Sequence, residues 1–154
     1  MKNKFGVKNV RIKDLFKKQY KDIDVIKRST LIVESDSPLT DGAFTKEYLG
    51  LAIYDGSLAP LIERGSRVPV EKSYVFSTWE DGQDQMILKL YRSIELEVEY
   101  SFSLGQFQII GIPNMPAKEP QIQVTFCVDD KNIYMYAKDL IHGNYMEVIK
   151  IFQN

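Results

Sequence analysis

From residue 48 to its end the chain is written in period two, and this feature most constrains what it can become. "LGLAIYDGSLAPLIERG" reads as strand, turn, strand, with Asp55-Gly56 as a hairpin signal. "SYVFSTW" (73–79) is rich in aromatic and β-branched residues, and "EDGQD" (80–84) is a turn. "QMILKLYR" (85–92) alternates, with Met86, Leu88 and Leu90 on one face and Ile87, Lys89 and Tyr91 on the other. "IELEVEYSFSLGQFQIIGI" predicts two further strands, with Glu95, Glu97 and Glu99 facing water. After the proline-rich loop "PNMPAKEP" (113–120), "QIQVTFCV" turns Ile122, Val124, Phe126 and Val128 inward and Gln123, Thr125 and Cys127 outward. "NIYMYAKD" and "NYMEVIKIF" complete the set. About eight short strands with turn signals at roughly ten-residue spacing predict a mainly β domain, a two-sheet antiparallel β-sandwich.

The first thirty residues follow another rule. In "VRIKDLFKKQYKDIDVIKR" (10–28), Ile12, Leu15, Phe16, Tyr20, Ile23 and Ile26 recur at helical spacing, with lysines and Arg11 between them. Residues 1–30 hold ten Lys/Arg against three Asp/Glu, whereas residues 31–154 hold ten against eighteen, so a net charge of −1 conceals a basic arm on an acidic body. The turn chemistry of "ESDSPLTDG" (34–42) marks a boundary. The expectation is a partly helical basic arm and linker over 1–42 and a β-sandwich over 43–154.

Catalytic and metal signatures are sparse. One cysteine excludes an internal disulfide framework, and one histidine, His142, excludes a two-histidine metal site. There is no phosphate-binding loop, no dinucleotide fingerprint and no nucleophile elbow. Acidic pairs such as Asp129-Asp130 and Glu80-Asp81 fall in turns, where an aspartate ordinarily bonds its own backbone. No apolar run approaches the roughly 20 residues of a membrane span. "MKNKFGVKNV" lacks the apolar core of a secretory signal. The expectation is a cytoplasmic protein that is not an enzyme, without metal or cofactor, and without a membrane partner. The basic arm offers phosphate contacts, but no aromatic-interleaved strand accompanies it, so nucleic acid is not an expected partner.

The segment "PQIQVTFCVDDKNIYMYAKD" (120–139) resembles the peptide-binding β-domain of heat-shock protein 70 (DnaK-type) chaperones. "SLGQFQIIGIP" is similar to that family's Leu-Gly-Gln/Arg-Phe…Gly-Ile segment, and "LGLAIYDGSLAPLIERGSRVPVEKSYVFSTWEDGQ" to its first three strands in order. The match covers roughly residues 44–154. It implies a sandwich holding a short extended peptide in a channel between loops at one end. Backbone hydrogen bonds would give affinity, and an apolar pocket would give preference. By position, the resemblance implies a pocket lined by Leu51, Ile53, Phe76, Met86, Leu88 and Ile133, with Ser77 and Gln83 meeting the peptide and Tyr54 and Trp79 forming an arch over it.

Several departures bear on that implication. The family arch usually pairs one larger with one smaller side chain, whereas Tyr54 and Trp79 are both large. They would either stack over a peptide or fill the channel. Lys118 stands where glycine is usual, and Cys127 replaces an outward acidic residue. Neither the family's ATPase domain nor its helical lid is represented, so ATP would act only through a separate domain. "TLIVESD" (30–36) is the nearest run to the family's apolar–acidic linker but lies farther upstream. The function implied is binding of extended apolar segments of unfolded or partner proteins. J-domain co-chaperones and an ATPase domain are further partners if the chain belongs to a longer one, and self-association through the channel is possible in principle. The alternative is an interaction module with a self-filled channel, docking through its arm or a sheet edge.

Overall fold

The computed structural model describes residues 29–151, and the helix expected over residues 10–28 lies outside them. Nine strands follow in order: β1 (Leu31–Val33), β2 (Tyr48–Ala52), β3 (Leu58–Ile62), β4 (Val70–Phe76), β5 (Gln85–Ser93), β6 (Phe102–Ile110), β7 (Ile122–Val128), β8 (Ile133–Asp139) and β9 (Tyr145–Ile151). Every pairing is antiparallel. The hydrogen-bonded path runs β3-β2-β5-β6-β9-β8-β7-β4, with β1 added to β8. Strand β9 joins the two layers: its Met146 pairs with Ala137 of β8, and its Ile149 pairs with Gln108 of β6.

The predicted alternation is what places the core. Met86, Leu88 and Leu90 of β5 face Ile122, Val124 and Phe126 of β7 within one buried cluster. Their even-numbered spacing puts them on one side of each pleat. Tyr74 of β4 ties the open side of the sandwich by donating its hydroxyl hydrogen to the Leu61 carbonyl of β3. A bulge in β6 sets Leu90 opposite Gly105 and Tyr91 opposite Ser103. Gly105 takes φ +119°, a conformation that L side chains rarely adopt, and this is what calls for glycine; the nearest atom to a Cβ there is Cε of Lys150, the mobile end of a long side chain that can swing aside.

Three local expectations need correction. The segment 94–112 holds one strand, not two. Residues 94–101 are the connection between β5 and β6, with a single 3-10 turn at Val98–Tyr100. Because β5 and β6 pair from Arg92/Phe102 inward, no ladder is left for this alternating run, although its three glutamates do face solvent. Second, Thr125 and Cys127 point away from the core as expected, yet are 2% and 4% exposed rather than on the surface. Third, β1 lies upstream of the boundary expected at 34–42, and its Val33 is part of the core.

The path from β1 to β2 is held by Arg92. Its guanidinium, 6% exposed, donates to the Glu47 carboxylate at 2.7 Å, to Ser35 Oγ at 2.6 Å, and to the carbonyls of Ser37 and Pro38. One planar cation thus collects the free acceptors of an otherwise irregular segment.

Candidate functional site

Two loops rise side by side at one end of the sandwich. The first is the turn between β2 and β3. Asp55 Oδ1 accepts the Ser57 N–H at 3.0 Å and its hydroxyl at 2.6 Å, and Gly56 donates to the Ile53 carbonyl at φ +90°. The Ser57 hydroxyl, then the Ser57 amide, hold the Asp55 carboxyl below its ordinary range. This turn carries Tyr54 at its tip.

The second loop, 77–84, connects β4 to β5 and carries Trp79. The proline-rich segment 112–120 clamps it. Lys118 N–H donates to Thr78 O, Gly82 N–H to Met115 O, Ile112 N–H to Asp84 O, Ala117 N–H to Asp81 Oδ1, and Ser77 Oγ to Pro120 O. Gln83 braces the loop from within, accepting the Trp79 N–H at 3.0 Å and donating to Gln85 O at 2.8 Å. The side chains of Ser77 and Gln83 are therefore already engaged in holding the loop. The backbone N–H and C=O of Tyr54 and Ser77 form no hydrogen bond to another backbone group. Lys118 is the one non-glycine residue with positive φ among the described residues, +69°. Its place where glycine is usual has the physical meaning that the clamp needs a left-handed residue there.

Beneath the loops, the residues expected in the pocket separate into three groups. Leu51 and Phe76 are half-buried and pack on the core, offering apolar surface between the loops. Met86 and Leu88, 8% and 5% exposed, form the wall behind them, and Ile53 stands at the rim with 41% exposure. Ile133 does not join them. In the sheet register Phe76 pairs with Ile122, and Ile133 pairs with Val128, six residues further along β7. At about 3.3 Å per residue that is roughly 20 Å from the loops. Ile133 packs instead beside Val33 of β1, at the opposite end. Ile122, fully buried opposite Phe76, is the inward β7 residue at the loop end. In sequence it reads as one more inward strand residue, set apart only by its place directly after the clamp loop, at Pro120-Gln121-Ile122.

The arch residues are open. Tyr54 is fully exposed, at 104%, and Trp79 is 83% exposed. Rings so exposed pack against little of the sandwich, so neither is buried in its body. The two loops carry Asp55, Glu80, Asp81 and Asp84, all exposed, and neither Lys nor Arg, which gives this end an acidic rim.

A different concavity, of about 980 Å³, opens at the other end of the sandwich. Ile32 to Leu39, Arg92, Phe102 to Gly105, Ile133 and Lys150 contribute to it. Its walls are mainly polar and Arg92 has its donors engaged, so it is poorly suited to an apolar side chain. Among the described residues no cluster of His, Cys, Asp and Glu is arranged to hold a metal ion. No helix among them is long and apolar enough to cross a membrane.

Comparison with known proteins points to one family. A family model described as Hsp70 protein matches residues 43–152. The chaperone protein DnaK of Thermotoga petrophila is 36% identical over 102 residues, 66% of this chain and 17% of that protein. The chaperone protein DnaK of Anaplasma marginale is 42% identical over 104 residues, 67% of this chain and 16% of that protein. The chain therefore spans about one sixth of the length of these relatives.

Proposed function

Because the chain belongs to the Hsp70 protein family, we propose that its two-loop end binds short extended segments of unfolded or partner proteins. The observation that carries this reading is the pair of exposed aromatic rings, Tyr54 and Trp79, on two loops at the end of the sandwich where half-buried Leu51 and Phe76 leave apolar surface open. An extended chain needs backbone partners for affinity and an apolar surface for preference, and the backbone of Tyr54 and Ser77 and the side chains of Leu51 and Phe76 support that reading. The acidic rim favours segments whose flanks carry Lys or Arg. The reading is one of binding without a reaction. Coupling to ATP would require an ATPase domain, and the compartment it implies is the cytoplasm.

The exposure of Tyr54 and Trp79 favours this over a self-filled interaction module. The test is fluorescence anisotropy of a labelled heptapeptide with leucine at its centre and lysine at its ends, with Trp79 emission followed in parallel. Saturable micromolar binding with a change at Trp79 is expected, together with at least tenfold weaker binding to Leu51→Asp. Leu51 is the position to charge, because Leu88 is 5% exposed and an aspartate there would threaten the fold itself. Absence of binding by a chain with a native circular-dichroism spectrum would sink the proposal.

A further inference from the structure

The outer face of β5, β6 and β9 departs from the usual pattern of a sheet side open to water. The register sets nine outward residues in three rows: Gln85–Ile110–Glu147, Ile87–Gln108–Ile149 and Lys89–Gln106–Ile151. Their strand neighbours Met86, Leu88, Phe107, Ile109, Met146 and Val148 point into the core. A solvated face of an antiparallel sheet ordinarily carries polar residues. Here four of the nine are isoleucines, and Ile87 and Ile149 in the middle row are 46% and 38% exposed. Two of the nine are charged, Lys89 and Glu147, and the register stands them at opposite corners. Both are exposed, and neither has an ion-pair partner among the described residues. Along the other diagonal the Gln108 side-chain amide donates to Gln85 Oε1, so these two polar groups satisfy each other.

We propose that two copies of this chain pack face to face through this surface, as a weak twofold dimer. A grid with opposite charges at two opposite corners is complementary to itself. The axis lies in the plane of the contact along the Gln85–Gln108–Ile151 diagonal, and rotation about it exchanges the other two corners. Lys89 of each copy then lies over Glu147 of the other, Ile87 over Ile110, and Ile149 over the aliphatic stem of Gln106, while Gln108 meets its own counterpart on the axis. An axis along the strands, or straight across them, would set both charges against Gln85 and Ile151. The remaining diagonal would set each charge against its own kind. Only one twofold arrangement of this face therefore pairs its charges. It crosses the strands of the two copies at about 90°, one of the two ways in which sheets stack. With strands about 4.8 Å and rows about 6.8 Å apart, the exchanged corners are offset by about 3 Å, within reach of a lysine and a glutamate. The nine positions cover roughly 14 by 20 Å, or about 300 Å² per copy, against about 800 Å² for a standard interface. The association is accordingly weak and reversible.

Sedimentation equilibrium of the full chain, from low micromolar to millimolar concentration, reads the association directly. The mean mass is expected to rise with concentration toward that of two chains. Lys89→Glu and Glu147→Lys each turn two attractive contacts into two repulsive ones, and each should weaken the association by about fivefold or more. The double variant Lys89→Glu/Glu147→Lys exchanges the corners, restores the pairing, and should return to within about threefold of the parent. Gln108→Lys sets two like charges together on the axis and should abolish the dimer. All three positions point outward, and circular dichroism verifies that each variant is folded. A parent chain that stays monomeric throughout overturns the proposal. So does a double variant no better than the single ones, or a Gln108→Lys chain that associates like the parent. Association that the labelled heptapeptide displaces, or that Trp79→Ala abolishes, belongs to the loop end; it overturns the assignment to this face and leaves peptide binding standing.

Discussion

Replacing Trp79 by alanine separates binding from folding at one position. An aromatic side chain covers about 150–250 Å² when fully buried. At 83% exposure nearly all of that area is open in the free protein. A peptide strand crossing one face of the ring would remove about half of it from water, roughly 80–100 Å², worth about 2–2.5 kcal/mol at 25 cal/mol/Å². Part of this is offset by the ordering of the loop and peptide, which leaves about 1–2 kcal/mol, or roughly a five- to thirtyfold weaker Kd. Stability should change by less than about 0.5 kcal/mol, because the ring touches little in the free state. The Trp79 N–H bond to Gln83 is made by the backbone and survives the substitution. The assay is anisotropy of the labelled heptapeptide beside urea unfolding followed by circular dichroism. Trp79→Phe should fall between the two proteins. A Kd within twofold of the parent, at equal stability, would refute the arch assignment. A large stability loss would show instead that the ring is a structural element of the loop.

Other substitutions test the frame around the site. Arg92→Met strips the Glu47 carboxylate and two carbonyls of their common donor in a nearly buried setting, and should cost about 3–5 kcal/mol in urea unfolding. Lys118→Gly relieves a left-handed residue at φ +69° and should raise stability by about 0.5–1 kcal/mol, net of the added chain entropy; a loss would mean that the lysine side chain holds the clamp. Burial first, then the nearby Glu71, pushes the Tyr136 hydroxyl far above its ordinary 10.0, and the same order of causes raises the Cys127 thiol well above 9.0. Both groups keep their protons in the folded chain at pH values where the unfolded chain releases them. Their contribution is therefore intact below about pH 9 and is lost as pH rises further. Tyr136→Phe should flatten the alkaline fall of the melting temperature above about pH 10, and an unchanged alkaline limb would contradict the buried placement.

Much of this architecture could be read from the residues. Alternation over 85–92 and 122–128 fixed which side chains face the core, because a strand has only two faces and burial selects the apolar one. Asp55-Gly56 announced the turn that presents Tyr54. The ordered run of segments also carried the likeness to a peptide-binding sandwich, which the Hsp70 match over 43–152 bears out at the level of the family. Alternation misled at 94–101, where the pattern is that of a strand but β5 and β6 had already used the available ladder.

Tertiary structure decided what depends on register and on contacts distant in sequence. Ile122 and Ile133 are equally apolar and inward; only the pairing of β7 with β4 and β8 puts the first opposite Phe76 and the second at the far end. Arg92 is one cation among twenty until the fold brings Ser35, Ser37, Pro38 and Glu47 around it. Cys127 obeys its predicted direction, but its 4% exposure is not what an outward strand position announces. A residue's own pattern sets which way its side chain points, through the geometry of one strand. What it meets there is set by segments tens of residues away, through hydrogen-bond register and close packing, and a local pattern holds no record of either.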